Sequence, residues 1–282
     1  MEKLTKDSPA NWCKHYPVAN GQRQSPVDLK KSDVLFDPKL KGTNFEFHYL
    51  PQDCHELLNK GHTWSIKAFL LYVTVSTSLD LNASHLPWEY KLVDIHCHWG
   101  RDSKYGSEHT VNGRAYSAEI HIVHMNKKYS SFEEALRYGD GLAVLGIFLE
   151  ILLETSRSES DHGNKALDTL VNSIKSIQYK NDKVLLPKGL DVKGLIADDL
   201  NFWTYDGSLT TPPCCECVIW TVFRTPIQIS KAQIQVFRHL CQVCKNESQN
   251  LCCLGSENGN KIVNNYRPTQ PIHGRRIRSS FE

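Results

Sequence analysis

Four histidines lie in two short segments, Asp94-Ile-His-Cys-His-Trp-Gly100 and Glu119-Ile-His-Ile-Val-His124. These two segments determine how the chain folds. Both are rich in isoleucine, valine or aromatic residues, and they lie within predicted strands over 90–99 and 116–125. The connection between them is short enough for the strands to pair as antiparallel neighbours. We therefore expect the two segments to lie side by side in one sheet.

The spacing of the histidines places several polar side chains on one face of this strand pair. Successive side chains of a strand point to opposite faces, so residues two apart share a face. The residues expected on the shared face are Asp94, His96 and His98 from the first strand, and Glu119, His121 and Val123 from the second. The other face of the second strand would take Ile120, Ile122 and His124. Three imidazoles thereby converge from two adjacent strands.

Three neutral imidazoles on a rigid sheet are typical of a zinc site whose fourth ligand is water. A ligating histidine usually donates its other N–H to a carboxylate or a carbonyl, and Asp94 and Glu119 each stand two residues before a histidine. The same spacing also fits structural histidines in a sheet, so the pattern alone leaves both interpretations open. We interpret His15, His109 and His124 as structural, hydrogen-bonded histidines.

The composition excludes several classes of protein. The 282 residues are 40% hydrophobic and 23% charged, with a formal net charge of +2, which is typical neither of disorder nor of nucleic-acid binding. The longest apolar run, 142–149, is too short to cross a bilayer, and residues 1–7 contain no apolar stretch of the signal-peptide type. We expect a cytoplasmic globular protein that binds neither nucleic acid nor membrane.

The strands and helices predicted in the rest of the chain indicate a mostly β fold of the α+β class. Further predicted strands cover 64–75, 142–152 and 216–224, and predicted helices cover 132–138, 165–178 and a segment that begins after Ser230. No repeat, low-complexity tract or linker divides the chain. We therefore predict one domain over 1–282, built on a large sheet with a few peripheral helices.

Several longer motifs follow one another outside the two histidine segments. They are Gln22-Arg-Gln-Ser-Pro-Val-Asp28, Asn59-Lys-Gly-His62, Gly106-Ser-Glu-His-Thr-Val111, Asp140-Gly-Leu-Ala-Val-Leu-Gly146, Trp203-Thr-Tyr-Asp-Gly-Ser-Leu-Thr-Thr-Pro-Pro213 and Asn265-Tyr-Arg-Pro-Thr-Gln-Pro271. With these motifs the sequence resembles the cytosolic, animal-like α-class carbonic anhydrases along nearly its whole length. The resemblance implies a twisted, mainly antiparallel sheet with a conical cavity that reaches a zinc ion.

The resemblance also implies an activity and a set of residues. It implies reversible hydration of carbon dioxide to bicarbonate and a proton by zinc-bound hydroxide, with His96, His98 and His121 as zinc ligands. Thr210 and Glu108 would orient the hydroxide, and His62 would carry the proton out. The residues expected to contact the substrate are Val123, Val144, Leu209, Thr210, Thr211 and Trp220. Inhibition by sulfonamides and anions and a monomeric state are further implications.

Some positions depart from the family pattern. Asp94 stands where a glutamine usually supports the first zinc histidine, so we expect an alkaline-shifted pH profile. Ile95 and Cys97 replace aromatic residues, which we expect to weaken metal retention. Lys60 replaces a neutral amide at the cavity rim, and Lys3 falls near the position of a tyrosine. The last two changes affect the expected path of the proton.

The chain contains ten cysteines, so a thiol-based function is also considered. Cys214 matches one partner of the disulfide found in secreted members, but Ala19 stands at the other position, which favours the cytosolic branch. Cys241-Gln-Val-Cys244, followed by Cys252-Cys253, is interpreted as a variable surface insertion, although a CxxC pair also occurs in redox and metal sites. The alternatives to the enzyme are an acatalytic or weakly active carbonic-anhydrase-related binding protein and a thiol-rich redox protein.

Overall fold

The two histidine segments lie on neighbouring strands in the middle of a large sheet. The computed structural model describes residues 8–68, 80–151, 163–247 and 260–282. The strands in these ranges are β1 (Asp28–Leu29), β2 (Val34–Phe36), β3 (Phe45–His48), β4 (Glu56–Asn59), β5 (Trp64–Lys67), β6 (Asp80–Ala83), β7 (Tyr90–Trp99), β8 (Thr110–Val111), β9 (Ala118–Asn126), β10 (Leu142–Ile151), β11 (Lys183–Leu185), β12 (Phe202–Gly207), β13 (Val218–Phe223), β14 (Ile227–Ile229) and β15 (Ile277–Ser279). Thirteen of these strands form one sheet, and β1 pairs with β8 separately.

The helices are short and lie outside the sheet. The α-helices that lie wholly within the described ranges are α1 (Trp12–His15), α2 (Phe132–Ala135), α3 (Asp168–Ile174) and α4 (Lys231–Phe237). The 3₁₀ turns are Pro9–Asn11, Pro17–Asn20, Pro38–Leu40, Pro51–Asp53, Lys165–Leu167 and Lys193–Leu195. Within the described ranges, no helix has the length and apolar character needed to span a bilayer.

The main sheet is mainly antiparallel. Its order is β11-β4-β5-β7-β9-β10-β13-β12-β15-β2, with β14 beside β10, β6 beside β7, and β3 beside β6. Parallel pairing occurs where β10 meets β13 and β14 and where β15 meets β2. The prediction of a mostly β fold with one large sheet and few helices is confirmed.

The predicted strands agree with the structure more closely than the predicted helices do. The range 90–99 coincides with β7, and β9, β10 and β13 begin and end within two residues of their predicted ranges. Of the strand predicted over 64–75, β5 covers the first four residues, and the part from residue 69 onward lies outside the described residues.

The helices begin where predicted but end earlier. The helix predicted over 165–178 is a 3₁₀ turn followed by α3, because the N–H groups of Ser176 and Ile177 bond to carbonyls three residues back. Helix α2 likewise ends at Ala135 rather than at residue 138. Helix α4 begins as predicted after Ser230, whose side chain forms a capping box with Gln233.

Two apolar cores pack on opposite faces of the central strands. The rear core includes Ile95, Cys97, Ile120 and Ile122, and the front core includes Val123, Val144 and Trp220. The alternation expected for residues 119–124 is therefore present in β9. It places the isoleucines behind the sheet and leaves the front face to the polar residues.

A β-bulge sets the direction of the side chains in β7. Leu92 lies opposite His124 and Asp94 lies opposite Val123, so Val93 is an extra residue in β7. Because of this extra residue, Leu92 belongs to the rear core although it stands two positions before Asp94. Beyond the bulge, the register places His96 directly opposite His121 on the front face.

His124 is a structural residue on the rear side of β9. Its ring is fully buried, with Nδ1 3.2 Å from the carbonyl oxygen of Ala143 and Nε2 2.7 Å from the hydroxyl of Tyr49. Since the carbonyl can only accept, Nδ1 donates and Nε2 accepts from Tyr49. Burial lowers the pKa of His124 to about 3, so the ring is neutral in the folded protein at neutral pH.

This burial predicts an acid-sensitive contribution to stability. The unfolded chain binds a proton at His124 below about pH 6.5, whereas the folded chain does not, so stability is lost as the pH falls from 6.5 toward 3. Between pH 7 and pH 5 the metal-free wild type should lose about 2 kcal/mol more unfolding free energy than His124→Gln. Urea unfolding at both pH values measures the difference. His239→Gln, at an exposed histidine, is the control, and equal losses in wild type and His124→Gln would contradict the prediction.

Candidate metal centre

Three histidine rings meet on the front face of β7 and β9. The ring centroids of His96 and His98 are 5.2 Å apart, those of His96 and His121 are 5.2 Å apart, and those of His98 and His121 are 4.7 Å apart. One nitrogen from each ring lies within 4.8 Å of the others. The antiparallel pairing therefore produces the convergence that the spacing predicted.

Each ring uses one nitrogen in a hydrogen bond of 2.8 Å to a neighbouring oxygen. The bonds join His96 Nδ1 to Asp94 Oδ2, His98 Nδ1 to the Asn265 carbonyl oxygen, and His121 Nε2 to Glu119 Oε1. These oxygens accept, so the bonded nitrogens carry the protons. The nitrogens left without a proton are Nε2 of the first two rings and Nδ1 of the third.

The state of these nitrogens fits a zinc ion. His98 is 2% exposed, and its Nε2 has no hydrogen-bond partner, which is costly for a buried polar atom. Burial lowers the pKa of His98 well below its ordinary value and that of His121 to about 4, so both rings are neutral at pH 7. Three imidazole nitrogens around one point are a donor set that zinc prefers.

Glu119 fixes the orientation of His121. Its carboxylate accepts from the backbone N–H groups of Glu108 (2.9 Å) and His109 (2.8 Å) and from ring nitrogens of His109 (2.7 Å) and His121 (2.8 Å). Burial alone would favour the neutral acid, but the two histidines hold the pKa of Glu119 well below its ordinary value. Gly146 leaves room for this carboxylate, because a Cβ there would lie 3.1 Å from Oε1.

His109 acts as a structural residue behind the centre. Its Nδ1 is bonded to Glu119, and its Nε2 lies 2.6 Å from the hydroxyl of Tyr205, which lies 2.9 Å from Ser25 Oγ. His109, Glu119 and His121 also form a compact group of metal-ligand types. Their facing atoms are already joined by hydrogen bonds, so this second group is a hydrogen-bond network that supports the first.

His15 differs from its prediction. It is exposed, and it lines a cavity of about 800 Å³ together with His62. This exposure does not fit a structural role in the core, and the expected hydrogen bonding of His15 stays a prediction.

Thr210 and Glu108 adjoin the three rings. Glu108 Oε1 accepts from the backbone N–H of Arg267 at 2.7 Å, and Glu108 Oε2 lies 3.4 Å from His98 Nε2. Burial raises the pKa of Glu108 well above its ordinary value, against the lowering effect of hydrogen bonds from the Arg267 backbone and the Thr210 side chain. Both Thr210 and Glu108 are buried.

A second cavity, of about 530 Å³, reaches the histidines from the protein surface. Its polar lining includes Asp94, His96 and His98. Its apolar lining is Val93, Val123, Phe132, Leu136 and Leu209, and Thr211 and His62 also line the cavity.

Val144 and Trp220 lie deeper than expected. They are 2% and 1% exposed, and they do not line either described cavity. Val144 pairs with Val123 across β9 and β10 and with Trp220 across β10 and β13. The Trp220 ring packs edge-on against His121, with centroids 4.8 Å apart. Their expected contact with the substrate stays a prediction.

Asn265 is a residue of the centre to which the sequence assigned no role. Its carbonyl holds His98, its Oδ1 accepts from the backbone N–H of Trp99 at 2.7 Å, and its Nδ2 donates to the His62 carbonyl at 2.8 Å. It opens the Asn265-Tyr-Arg-Pro-Thr-Gln-Pro271 motif, which was the available signal. A hydrogen bond that a backbone carbonyl accepts cannot be predicted from the side-chain types in a sequence.

The cysteines that the structure describes are not among the residues grouped around the centre. Cys214 and Cys217 are buried free thiols, and burial raises their pKa values to about 11 and about 12, which disfavours the reactive thiolate. Cys241 is buried and Cys244 is partly exposed, and Cys252-Cys253 lies outside the described residues. The described thiols thus give no support to the redox alternative.

The network around Glu119 predicts how firmly the centre holds a metal. Glu119→Gln replaces a carboxylate that accepts four hydrogen bonds with an amide whose nitrogen cannot accept. We expect zinc affinity to fall by about 10–100-fold, measured by competition with a chromophoric chelator. Glu133→Gln, at an exposed position of α2, makes the same chemical change and should bind zinc like the wild type. Unchanged affinity in Glu119→Gln would show that this carboxylate does not support the metal.

The comparison with known proteins agrees with this geometry. The family model for eukaryotic-type carbonic anhydrases matches residues 7–281, which include every residue of the centre and of the two cavities. The match thus spans nearly the whole chain. This chain belongs to the eukaryotic-type carbonic anhydrase family.

Proposed function

We propose that this chain is a zinc-dependent carbonic anhydrase that interconverts carbon dioxide and bicarbonate in the cytoplasm, as a monomer with one catalytic domain over 1–282. The observation that carries the proposal is the convergence of three imidazole nitrogens, one each from His96, His98 and His121, beside a cavity with apolar lining residues. Zinc at such a site supplies a water molecule that ionises near neutral pH, an effect for which carbonic anhydrase is the reference case.

Thr210 and Glu108 orient the attacking oxygen. When the Thr210 hydroxyl donates to the Glu108 carboxyl, the Thr210 oxygen can only accept a hydrogen bond from a group in the cavity. This arrangement holds the attacking oxygen with a lone pair toward the substrate, which lowers the barrier by orientation. A dication at the histidines favours the ionised form of Glu108.

The apolar wall suits a small apolar substrate. Val123, Leu209 and Thr211 line the cavity together with the histidines. Carbon dioxide has no strong hydrogen-bonding groups, so such a wall binds it without leaving protein polar atoms unpaired. Anions and sulfonamides are expected to compete at this position.

His62 is the group that passes the proton to the solvent. It lines both cavities and is exposed, so it can exchange protons with buffer. Desolvation by the cavity walls, and then the charge of Lys60, lower the pKa of His62 below its ordinary value. An imidazole of this kind releases its proton readily at neutral pH.

The proposal predicts an activity that depends on zinc and on Thr210. Stopped-flow hydration of carbon dioxide should be fast for the zinc-loaded wild type and absent in His96→Ala. Thr210→Val keeps the shape of the side chain but removes the hydroxyl, so it should retain zinc and lose about 100-fold or more in kcat/KM. Thr211→Val makes the same change at the neighbouring position and should lose much less.

Two outcomes would contradict the proposal. A wild-type chain that binds no zinc would remove its basis. A chain that binds one zinc without hydrating carbon dioxide would favour the carbonic-anhydrase-related binding protein. Thiol titration alongside the zinc measurement tests the redox alternative, because one zinc per chain with unchanged thiols leaves the cysteines uninvolved.

The role of His62 predicts a separation of the kinetic constants. In weak buffer, His62→Ala should lower kcat by about 100-fold and leave kcat/KM unchanged, because only the proton-transfer step is affected. Added imidazole should restore kcat. His55→Ala, at a histidine outside both cavities, is the control. A loss of kcat/KM that imidazole does not restore would show that His62 acts on substrate binding instead.

A further inference from the structure

The side chain of Lys60 forms an ion pair with the residue that supports a zinc ligand. We propose that Lys60 is a positioning residue of the metal centre and that it offsets the charge of Asp94. The pair would then act on His96 as a hydrogen-bond acceptor of nearly no net charge. This inference rests on the proposed zinc site and concerns how strongly that site holds the metal.

The Asp94 carboxylate accepts hydrogen bonds from three donors. Its Oδ2 accepts from His96 Nδ1 at 2.8 Å, and its Oδ1 accepts from Lys60 Nζ at 3.0 Å and from Ser65 Oγ at 2.5 Å. The side chains of Lys60 and Asp94 are 29% and 20% exposed. The ion pair is therefore partly shielded from solvent, and its charges interact more strongly than those of a surface pair.

The segment that carries Lys60 is held in place by Asn59. The amide nitrogen of Asn59 donates to the carbonyls of Ile177, Gln178 and Cys241. Its Oδ1 accepts from the backbone N–H of Gly61, and the N–H of Lys60 donates to the Thr63 carbonyl. Gly61 has a φ of +83°, and a Cβ there would meet Lys180 at 2.7 Å. The backbone at Lys60 is thus fixed before the side chain reaches Asp94.

The charge of Lys60 is expected to weaken zinc binding. A carboxylate that accepts from a ligating imidazole makes that ring a stronger donor, and this strengthens metal binding. An ammonium group on the same carboxylate draws its charge away and also repels a nearby dication. Removal of Lys60 should therefore tighten zinc binding, whereas removal of Asp94 should loosen it.

Lys67 offers a matched comparison. It lies directly opposite Asp94 in the pairing of β5 with β7 and lines the same cavity as Lys60. Among the residues that the structure describes, the Asp94 carboxylate is bonded to Lys60, Ser65 and His96 and forms no ion pair with Lys67. Its loss removes the same charge from the same cavity without breaking the pair.

The test is the rate at which zinc leaves the loaded chain in excess chelator. Asp94→Asn should release zinc about 10-fold faster or more. Lys60→Gln should release it more slowly than the wild type. The double variant, which has the same net charge as the wild type, should fall between the two single variants. Lys60→Arg keeps the charge and should behave like the wild type, and Lys67→Gln should change the rate less than Lys60→Gln.

A spectroscopic measurement separates charge from simple packing. In ¹⁵N-histidine spectra of the zinc-loaded chain, the Nδ1–H signal of His96 should move in Lys60→Gln and return in Lys60→Arg. Urea unfolding of each variant checks that the fold is intact.

Faster zinc release in Lys60→Gln, or the same change in Lys67→Gln, would overturn the inference while leaving the proposed function standing. A wild-type chain that does not bind one zinc would overturn both.

Discussion

The antiparallel pairing of β7 with β9 is the constraint on which the rest of the centre depends. It places His96 opposite His121 and His98 opposite Glu119, so three histidines and a supporting carboxylate share one face without help from any loop. A shift of one residue would turn these side chains into the rear core. The isoleucines on the rear face resist such a shift, because it would bring them to the polar front.

Much of this arrangement could be predicted from the residues themselves. Alternation along residues 94–98 and 119–123 indicated the shared face, and the carboxylates two residues before His96 and His121 indicated their hydrogen-bond partners. The bulge at Val93 could not be predicted, since an extra residue is visible only in the register between two strands. Contacts between distant segments, such as the Asn265 carbonyl on His98, depend on tertiary packing that no local pattern records.

The departures from the family pattern also form contacts that the sequence alone does not predict. In the sequence, Lys60 and Asp94 are separate changes, each with its own expected effect. In the structure they form one ion pair at 3.0 Å, so the effect of either change depends on the other. The expectation of an alkaline-shifted profile was based on Asp94 alone and remains a prediction. The pairing indicates that its size depends on Lys60.

The most direct test is to determine which nitrogen of each histidine ring binds the metal. Histidine-selective ¹⁵N NMR of the zinc-loaded chain reports which nitrogen of each ring carries a proton and which binds metal. We expect one zinc per chain, with His96 and His98 bound through Nε2 and His121 bound through Nδ1. Three rings bound through the same nitrogen, or rings whose signals do not respond to zinc, would contradict this expectation.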